Sequence, residues 1–253
     1  MPTPTALVTG GSRGLGRDMA LRLADDGRDV VLTYRSNADA AAEVADLIRA
    51  KGRRAAALRL DVAAFDAYDD FVERLRETLA ADLDGAPGVD YLVNNAGISL
   101  QSLIGQTAEA DFDRVFDVHV KSVYLLTPRL LGLLRDGGAI VNVSTGLARF
   151  TIPSYAAYAS AKAAVEGLTR YLAKELGGRG IRANVVAPGP IDTDFNADAF
   201  ASNPGMRRQL SDNTALGRVG RAEDIGGVVA FLCSDDARWV TAQRLEASGG
   251  TLL

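Results

Sequence analysis

The sequence predicts an α/β domain in which one doubly wound, mainly parallel sheet is flanked by helices on both faces. Three observations carry that expectation. Short apolar, β-branched runs alternate with longer helical patterns from end to end, a glycine-rich turn follows the first such run directly, and 253 residues of 47% hydrophobic content suffice for a core of that size. The strand candidates are Ala6-Leu7-Val8, Val30-Val31-Leu32, Ala55 to Leu60, Tyr91-Leu92-Val93, Ala139 to Val143 and Ala183 to Ala187, with Gln243 to Leu253 as a last strand. Between them, Ala42, Val44, Leu47 and Ile48 recur at helical spacing in Ala38 to Ala50, as do Ala164, Val165, Leu168, Leu172 and Leu176 in Ala156 to Leu176. Each helix can cover one sheet face, and right-handed crossovers place ligands at the carboxyl ends of the strands. There is no internal repeat, low-complexity tract or linker, so residues 1–253 read as one domain. The widest irregular stretch, Pro188 to Gly217, is interrupted by Pro190, Pro204 and Gly205 and predicts a substrate lid at about 190–216.

Composition excludes several classes of function. The 28 Lys and Arg against 32 Asp and Glu give a net charge of −4, and no basic run exceeds Arg53-Arg54 or Arg207-Arg208, which argues against a nucleic-acid partner. A single cysteine, Cys233, cannot form an internal disulfide, and with one histidine the chain is too poor in ligands for a zinc site. No metal is expected. Neither a signal-peptide pattern nor a membrane-spanning run is visible, and the sparing use of cysteine suits a reducing compartment, so the expected location is cytoplasmic.

The first strand runs into Thr9-Gly10-Gly11-Ser12-Arg13-Gly14-Leu15-Gly16 and then the helical pattern Met19, Ala20, Leu21, Leu23, Ala24. Glycines at 10, 14 and 16 let backbone approach a pyrophosphate, and the free N–H groups at a helix start supply donors with a partial positive charge. The second strand ends Leu32-Thr33-Tyr34-Arg35-Ser36, without the acidic residue that would accept from a ribose 2′-hydroxyl. Arg35 and Arg13 offer guanidinium groups to a 2′-phosphate instead, which favours NADP over NAD.

In Tyr158-Ala159-Ser160-Ala161-Lys162 a phenol and an ammonium stand four residues apart and share one helix face. A free tyrosine titrates near pH ~10. A neighbouring cation would lower that value toward neutrality, with Lys162 tuning and Tyr158 transferring the proton.

Over essentially its whole length the sequence resembles the single-domain branch of the short-chain dehydrogenase/reductases, proteins with a Rossmann fold. The likeness rests on the order and spacing of Thr9-Gly10-x-x-x-Gly14-x-Gly16, Asp61-Val62, Asn94-Asn95-Ala96-Gly97, Tyr158-x-x-x-Lys162, Pro188-Gly189 and Ser248-Gly249-Gly250. It implies a seven-stranded sheet and an oxidoreductase passing hydride between NADP(H) and a carbonyl or secondary alcohol, as a ketoreductase does. Gly10, Ser12, Arg13, Gly14, Leu15, Gly16, Tyr34, Arg35 and Ser36 would then hold the adenosine and phosphates. Asp61 and Val62 would lie by the adenine, while Asn95, Ala96 and Gly97 line the cofactor and Asn94 steadies the sheet. Pro188 and Gly189 would open the stretch passing the nicotinamide, with Ile191 and Thr193 fixing its carboxamide and Lys162 holding the ribose hydroxyls.

Two positions depart from the family pattern of serine and asparagine beside the tyrosine and lysine. Thr145 stands thirteen positions before Tyr158, with Ser144 adjacent; Thr145 is the preferred hydroxyl because successive strand residues face opposite sides. In Phe116-Asp117-Val118-His119-Val120-Lys121-Ser122 the only histidine, His119, occupies the place of the asparagine that helps hold a relay water. It would replace the relay, alter its pH dependence, break it, or simply fill the helix position while a backbone carbonyl holds the water.

Leu147 to Tyr155 and Phe195 to Leu216 are expected to wall the substrate pocket with Phe150, Ile152, Tyr155, Phe195, Phe200 and Met206, which suits a mainly apolar small molecule. Overall likeness is to reductases of 3-oxoacyl thioesters and similar ketones, but Asp136, just before the fifth strand, stands where carrier-protein-binding members are basic. A β-keto ester, a polyketide-like ketone, a sugar and a steroid all remain open. The apolar C-terminal half, with Ile225 to Cys233 and Trp239-Val240, resembles the family's subunit-contact surface and implies a homotetramer. The alternative to an enzyme is a dinucleotide-binding sensor or scaffold without turnover.

Overall fold

Valine, isoleucine, leucine and alanine dominate most of the strands, the central ones being covered on both faces. The strands are β1 (Thr5–Val8), β2 (Asp29–Tyr34), β3 (Ala55–Arg59), β4 (Val89–Asn94), β5 (Leu134–Val143), β6 (Arg182–Pro188) and β7 (Arg244–Ala247). In the computed structural model, which describes residues 3–82, 88–196, 200–201, 203 and 205–253, they form one sheet in the order β3-β2-β1-β4-β5-β6-β7. Every described pairing is parallel, a stricter arrangement than the mainly parallel sheet the sequence predicts.

One layer comprises α1 (Gly14–Asp25), α2 (Ala38–Ala50) and α8 (Glu223–Leu232), which bury Met19, Leu23, Val44, Ile48, Ile225 and Val229 against the sheet. The opposite layer holds α3 (Tyr68–Asp82), α4 (Glu109–Phe116), α5 (Ser122–Leu130) and α6 (Ala156–Leu176), with Phe71, Leu75, Leu126, Leu130 and Leu176 in its core. A π-helical turn, Asp117–Lys121, joins α4 to α5.

The register sets Val8 beside Val93, Val93 beside Val141 and Val143 beside Val186, so β1, β4, β5 and β6 end at a common level. Strand order reverses between β1 and β4, and a crevice opens there at the carboxyl ends. Asn94 and Asn142 close it from below: Asn94 Nδ2 donates to Asn142 Oδ1 at 2.8 Å, and Asn142 Nδ2 to Thr169 Oγ1 at 2.8 Å.

Several details differ from expectation. The last strand stops at Ala247, because Gly249 and Gly250 turn the chain at φ 64° and 78°, a region that only glycine enters freely. Asp136 lies within β5, where the register against β4 shifts between Val89 and Tyr91, and its carboxylate pairs with Arg179 at 2.7 Å. Within the expected lid, α7 (Met206–Asp212) is helical, whereas residues 197–199, 202 and 204, Pro204 among them, lie outside the described residues. Ile225, Val229, Leu232 and Cys233 belong to the core of the single chain, while Trp239 is 96% exposed.

Candidate active site

Every residue expected to hold the cofactor, from Gly10 to Thr193, lines one cleft of about 780 Å³ at the crevice. Its nucleotide end is built on close backbone approach. A Cβ on Gly16 would lie 2.2 Å from the Gly10 carbonyl oxygen, so only glycine lets α1 begin this near the turn. No side chain caps α1, leaving its first N–H groups directed at the cleft. Thr9, which no motif reading assigned a task, pins the turn to β4: its hydroxyl accepts from Asn95 N at 3.0 Å and Ala96 N at 3.1 Å. Asn95 Nδ2 returns bonds to the carbonyls of Thr9 and Gly10 at 2.9 and 3.1 Å. Arg13 and Arg35 are exposed on the rim, and neither guanidinium has an ion-pair or hydrogen-bond partner among the described residues. Asp61, also exposed, caps its own turn by accepting from Ala63 N at 3.0 Å.

At the other end, α6 presents Tyr158 and Lys162 from one face, both buried. Lys162 Nζ donates to the Val143 carbonyl at 2.7 Å and sits 5.9 Å from the centre of the Tyr158 ring. The tuning expected from sequence is reversed in the chain alone. Burial pushes the Tyr158 phenol above its ordinary range, opposed by a hydrogen bond from Thr145, and burial also pulls the Lys162 ammonium down to about 7. Desolvation outweighs the attraction that the spacing suggests, because both groups are buried.

The neighbouring hydroxyls separate cleanly. Thr145 Oγ1 faces the phenol of Tyr158 and accepts from Leu147 N at 3.3 Å. Ser144 Oγ is turned away, donating to Glu166 Oε1 at 2.6 Å. Of the two candidates, the geometry brings Thr145 to Tyr158.

His119 lies in the π-helical turn with its ring edge-on to Tyr158, centroids 5.3 Å apart. Its Nε2 is 2.8 Å from the Ile98 carbonyl oxygen and 3.3 Å from Ile98 N. The shorter contact assigns the proton to Nε2, and Nδ1 is then a buried acceptor with no hydrogen-bond partner among the described residues. Burial and then the charge of Lys162 hold the imidazole well below its ordinary value, so it is neutral at neutral pH. The ring fits only because residue 97 is glycine: a Cβ there would stand 2.7 Å from His119 Cε1.

Above Tyr158 the walls are aromatic. Phe150, Ile152, Tyr155, Phe195, Phe200 and Met206 all line the cleft, as expected, with the Tyr155 and Phe195 rings 6.4 and 6.2 Å from that of Tyr158. Gln101, from the loop after β4, donates to the hydroxyl of Tyr155, one of the wall residues. Sequence reading missed this residue, which no spacing links to α6. Among the described residues no cluster of acidic, cysteine or histidine side chains could hold a metal, and no helix is long and apolar enough to cross a membrane.

Comparison with known proteins agrees with this geometry. A family model described as enoyl-(acyl carrier protein) reductase matches residues 10–251. The chain is 40% identical over 255 residues to a short-chain type dehydrogenase/reductase of Picea abies, covering 97% of this chain and 91% of the relative. It is 36% identical over 250 residues to the 3-oxoacyl-[acyl-carrier-protein] reductase FabG of Staphylococcus epidermidis, covering 97% and 98%. Among solved structures, the angucycline C-6 ketoreductase LanV with bound NADP superposes with a TM-score of 0.93 at 39% identity, over 98% of this chain and 95% of that one. With the glycine turn, the paired Tyr158 and Lys162 and the parallel sheet all in place, the chain belongs to the short-chain dehydrogenase/reductases, a family of NAD(P)-dependent oxidoreductases.

Proposed function

We propose that the protein is an NADPH-dependent ketoreductase acting on a planar, mainly apolar ketone of polyketide-like type. The carrying observation is the phenol of Tyr158, buried beside the Thr145 hydroxyl beneath aromatic walls, in a cleft whose far rim bears the guanidiniums of Arg13 and Arg35, which have no partner among the described residues.

The residues present fit NADP. The close approach at Gly16 and the uncapped start of α1 suit a pyrophosphate, and Arg13 and Arg35 suit a 2′-phosphate through charge-assisted bonds. Asp61 and Val62 would flank the adenine, Asn95, Ala96 and Gly97 the ribose side, and Pro188, Gly189, Ile191 and Thr193 the nicotinamide. When bound, the reduced dinucleotide supplies hydride to the substrate carbon.

The chain's own part is to hold the ketone and manage the proton. Thr145 donates a hydrogen bond to the carbonyl oxygen, a contact that strengthens as negative charge develops there and is worth about 3 kcal/mol in comparable sites. Tyr158 then protonates that oxygen. The phenol is protonated at neutral pH, as a donor in the reducing direction must be, and the negative charge that develops on the carbonyl oxygen draws its proton across. Lys162, titrating near 7, can return a proton to the phenolate side and would hold the ribose hydroxyls of the bound dinucleotide. His119, neutral and fastened to Ile98, serves as a structural support rather than a proton carrier.

The aromatic walls at Phe150, Tyr155, Phe195 and Phe200 favour a flat ring system, in keeping with the likeness to LanV, an angucycline C-6 ketoreductase. A carrier-protein thioester is disfavoured by the acidic character of residue 136, an aspartate where carrier-protein-binding members of the family are basic. A homotetramer is part of the same reading, supported by the exposure of Trp239 and Leu253.

The test is to follow NADPH absorbance with a panel of aromatic polyketide ketones, β-keto esters, sugars and steroids, using Tyr158→Phe as control. Oxidation with the aromatic ketones, lost in the variant, is expected. Binding without oxidation across the panel would overturn the proposal in favour of a sensor.

A further inference from the structure

Behind the Thr145 hydroxyl lies a charged network that no sequence motif announces. Arg244 on β7 directs all three guanidinium nitrogens at different acceptors. Nε donates to Glu166 Oε1 at 2.8 Å, Nη1 to Glu246 Oε2 at 2.9 Å, and Nη2 to the backbone carbonyl of Thr145 at 3.1 Å. Glu166, on α6 two turns beyond Tyr158, also accepts from Ser144 Oγ at 2.6 Å. Glu246 in turn grips Arg149 through two contacts of 2.6 Å, and Arg149 reaches the carbonyl of Thr251 at 2.8 Å.

The side chains of Arg244, Glu166 and Glu246 are 24%, 14% and 18% exposed, so the fork is largely shielded from water. A guanidinium is planar and rigid, and once two of its edges are fixed by carboxylates the third points one way. That third edge holds the carbonyl of Thr145, whose backbone is extended at φ −157° and ψ 151°. Threonine has few χ1 options, so a fixed backbone also fixes the hydroxyl. The same network draws the neighbouring Ser144 hydroxyl out of the cleft, leaving one hydroxyl at the phenol.

We propose that Arg244 is a positioning residue, which with Glu166 sets where the Thr145 hydroxyl meets the substrate oxygen. This rests on the reading of Thr145 given above. Misplacing such a donor by a fraction of an ångström to an ångström costs about 10- to 100-fold in rate.

The experiment is a double-mutant cycle of Arg244→Met with Thr145→Val, measured as kcat and KM for an accepted ketone with NADPH, with thermal unfolding of each variant alongside. Arg244→Met should lower kcat about tenfold with KM for NADPH little changed, and cost less than about twofold when Thr145 is already valine. An equal cost in both backgrounds would show that Arg244 does not act through the hydroxyl and would overturn the inference, whereas wild-type kcat in Thr145→Val alone would sink the underlying reading. Should Arg244→Met fail to fold, Arg244→Lys decides. One ammonium between Glu166 and Glu246 keeps the charge but cannot hold three separate acceptors. A kcat about tenfold down is expected, and an unchanged kcat overturns the proposal.

Discussion

Replacing Gly16 by alanine probes the nucleotide end with one methyl group. The added Cβ would stand 2.2 Å from the Gly10 carbonyl oxygen and 2.5 Å from Asn95 Nδ2, more than about 1 Å inside ordinary contact. Relief requires moving Asn95, whose amide bonds to Thr9 O and Gly10 O at 2.9 and 3.1 Å hold β4 to the glycine turn. Two hydrogen bonds at about 1 kcal/mol each and overpacking of about 1–3 kcal/mol are set against a helix-propensity gain of about 1 kcal/mol. The net loss is near 3 kcal/mol, or about 6–12 °C in Tm for a domain of this size. Gly227 in α8 provides the contrast, since nothing lies within 4 Å of its would-be Cβ. Gly227→Ala should therefore gain about 0.5–1 kcal/mol. Thermal unfolding and NADPH fluorescence titration of both variants read the difference. A Gly16→Ala protein that melts and binds NADPH like the wild type would refute the close approach.

Other perturbations give equally specific expectations. Arg35→Ala and Arg13→Ala should each raise KM for NADPH about tenfold or more while leaving NADH within about twofold, since a charge-assisted hydrogen bond contributes about 1.5–3 kcal/mol; equal effects on both cofactors would count against a 2′-phosphate site. Lys162 carries a pH signature. Its titration falls from 10.5 to about 7 on folding, so above about 7 the unfolded chain binds more protons and stability rises with pH until about 10. Below about 7 the fold bears the full cost of the buried ammonium. Lys162→Met should therefore gain most over wild type near pH ~6 and progressively less toward pH ~9, and a pH-independent difference in Tm would contradict the burial argument. Because His119 is held neutral, His119→Asn should leave the pH–rate profile between about pH 6 and 8 in place, and a shift of more than about half a unit would return the imidazole to the proton path.

Much of the fold was legible because parallel strands covered on both faces read as apolar runs, and because glycine turns carry their own spacing. Ala38–Ala50 and Ala156–Leu176 are helices with the limits their periodicity predicts. The shorter last strand was obscured by the apolar residues that follow Gly250, which continue the pattern after the backbone has turned. In the site, the spacing of Tyr158 and Lys162 together with the likeness to the family pointed to these two and to Thr145, and their convergence follows from α6 packing beside β5 and β6. What spacing could not show was the balance between burial and charge. Two groups four residues apart in sequence predict attraction, and only the depth of both in the protein shows desolvation winning. The Arg244 network was equally hidden, since its link to Glu166 spans 78 positions and each partner alone reads as an ordinary surface charge.

The most direct test follows hydride itself, using NADPH deuterated at C4 with a ketone that the wild-type protein accepts and mass analysis of the alcohol. The account predicts one deuterium on the carbinol carbon for the wild type, and neither deuterated product nor cofactor oxidation for Tyr158→Phe. Alcohol formed without deuterium from either face of the labelled cofactor, or undiminished turnover by Tyr158→Phe, would contradict it.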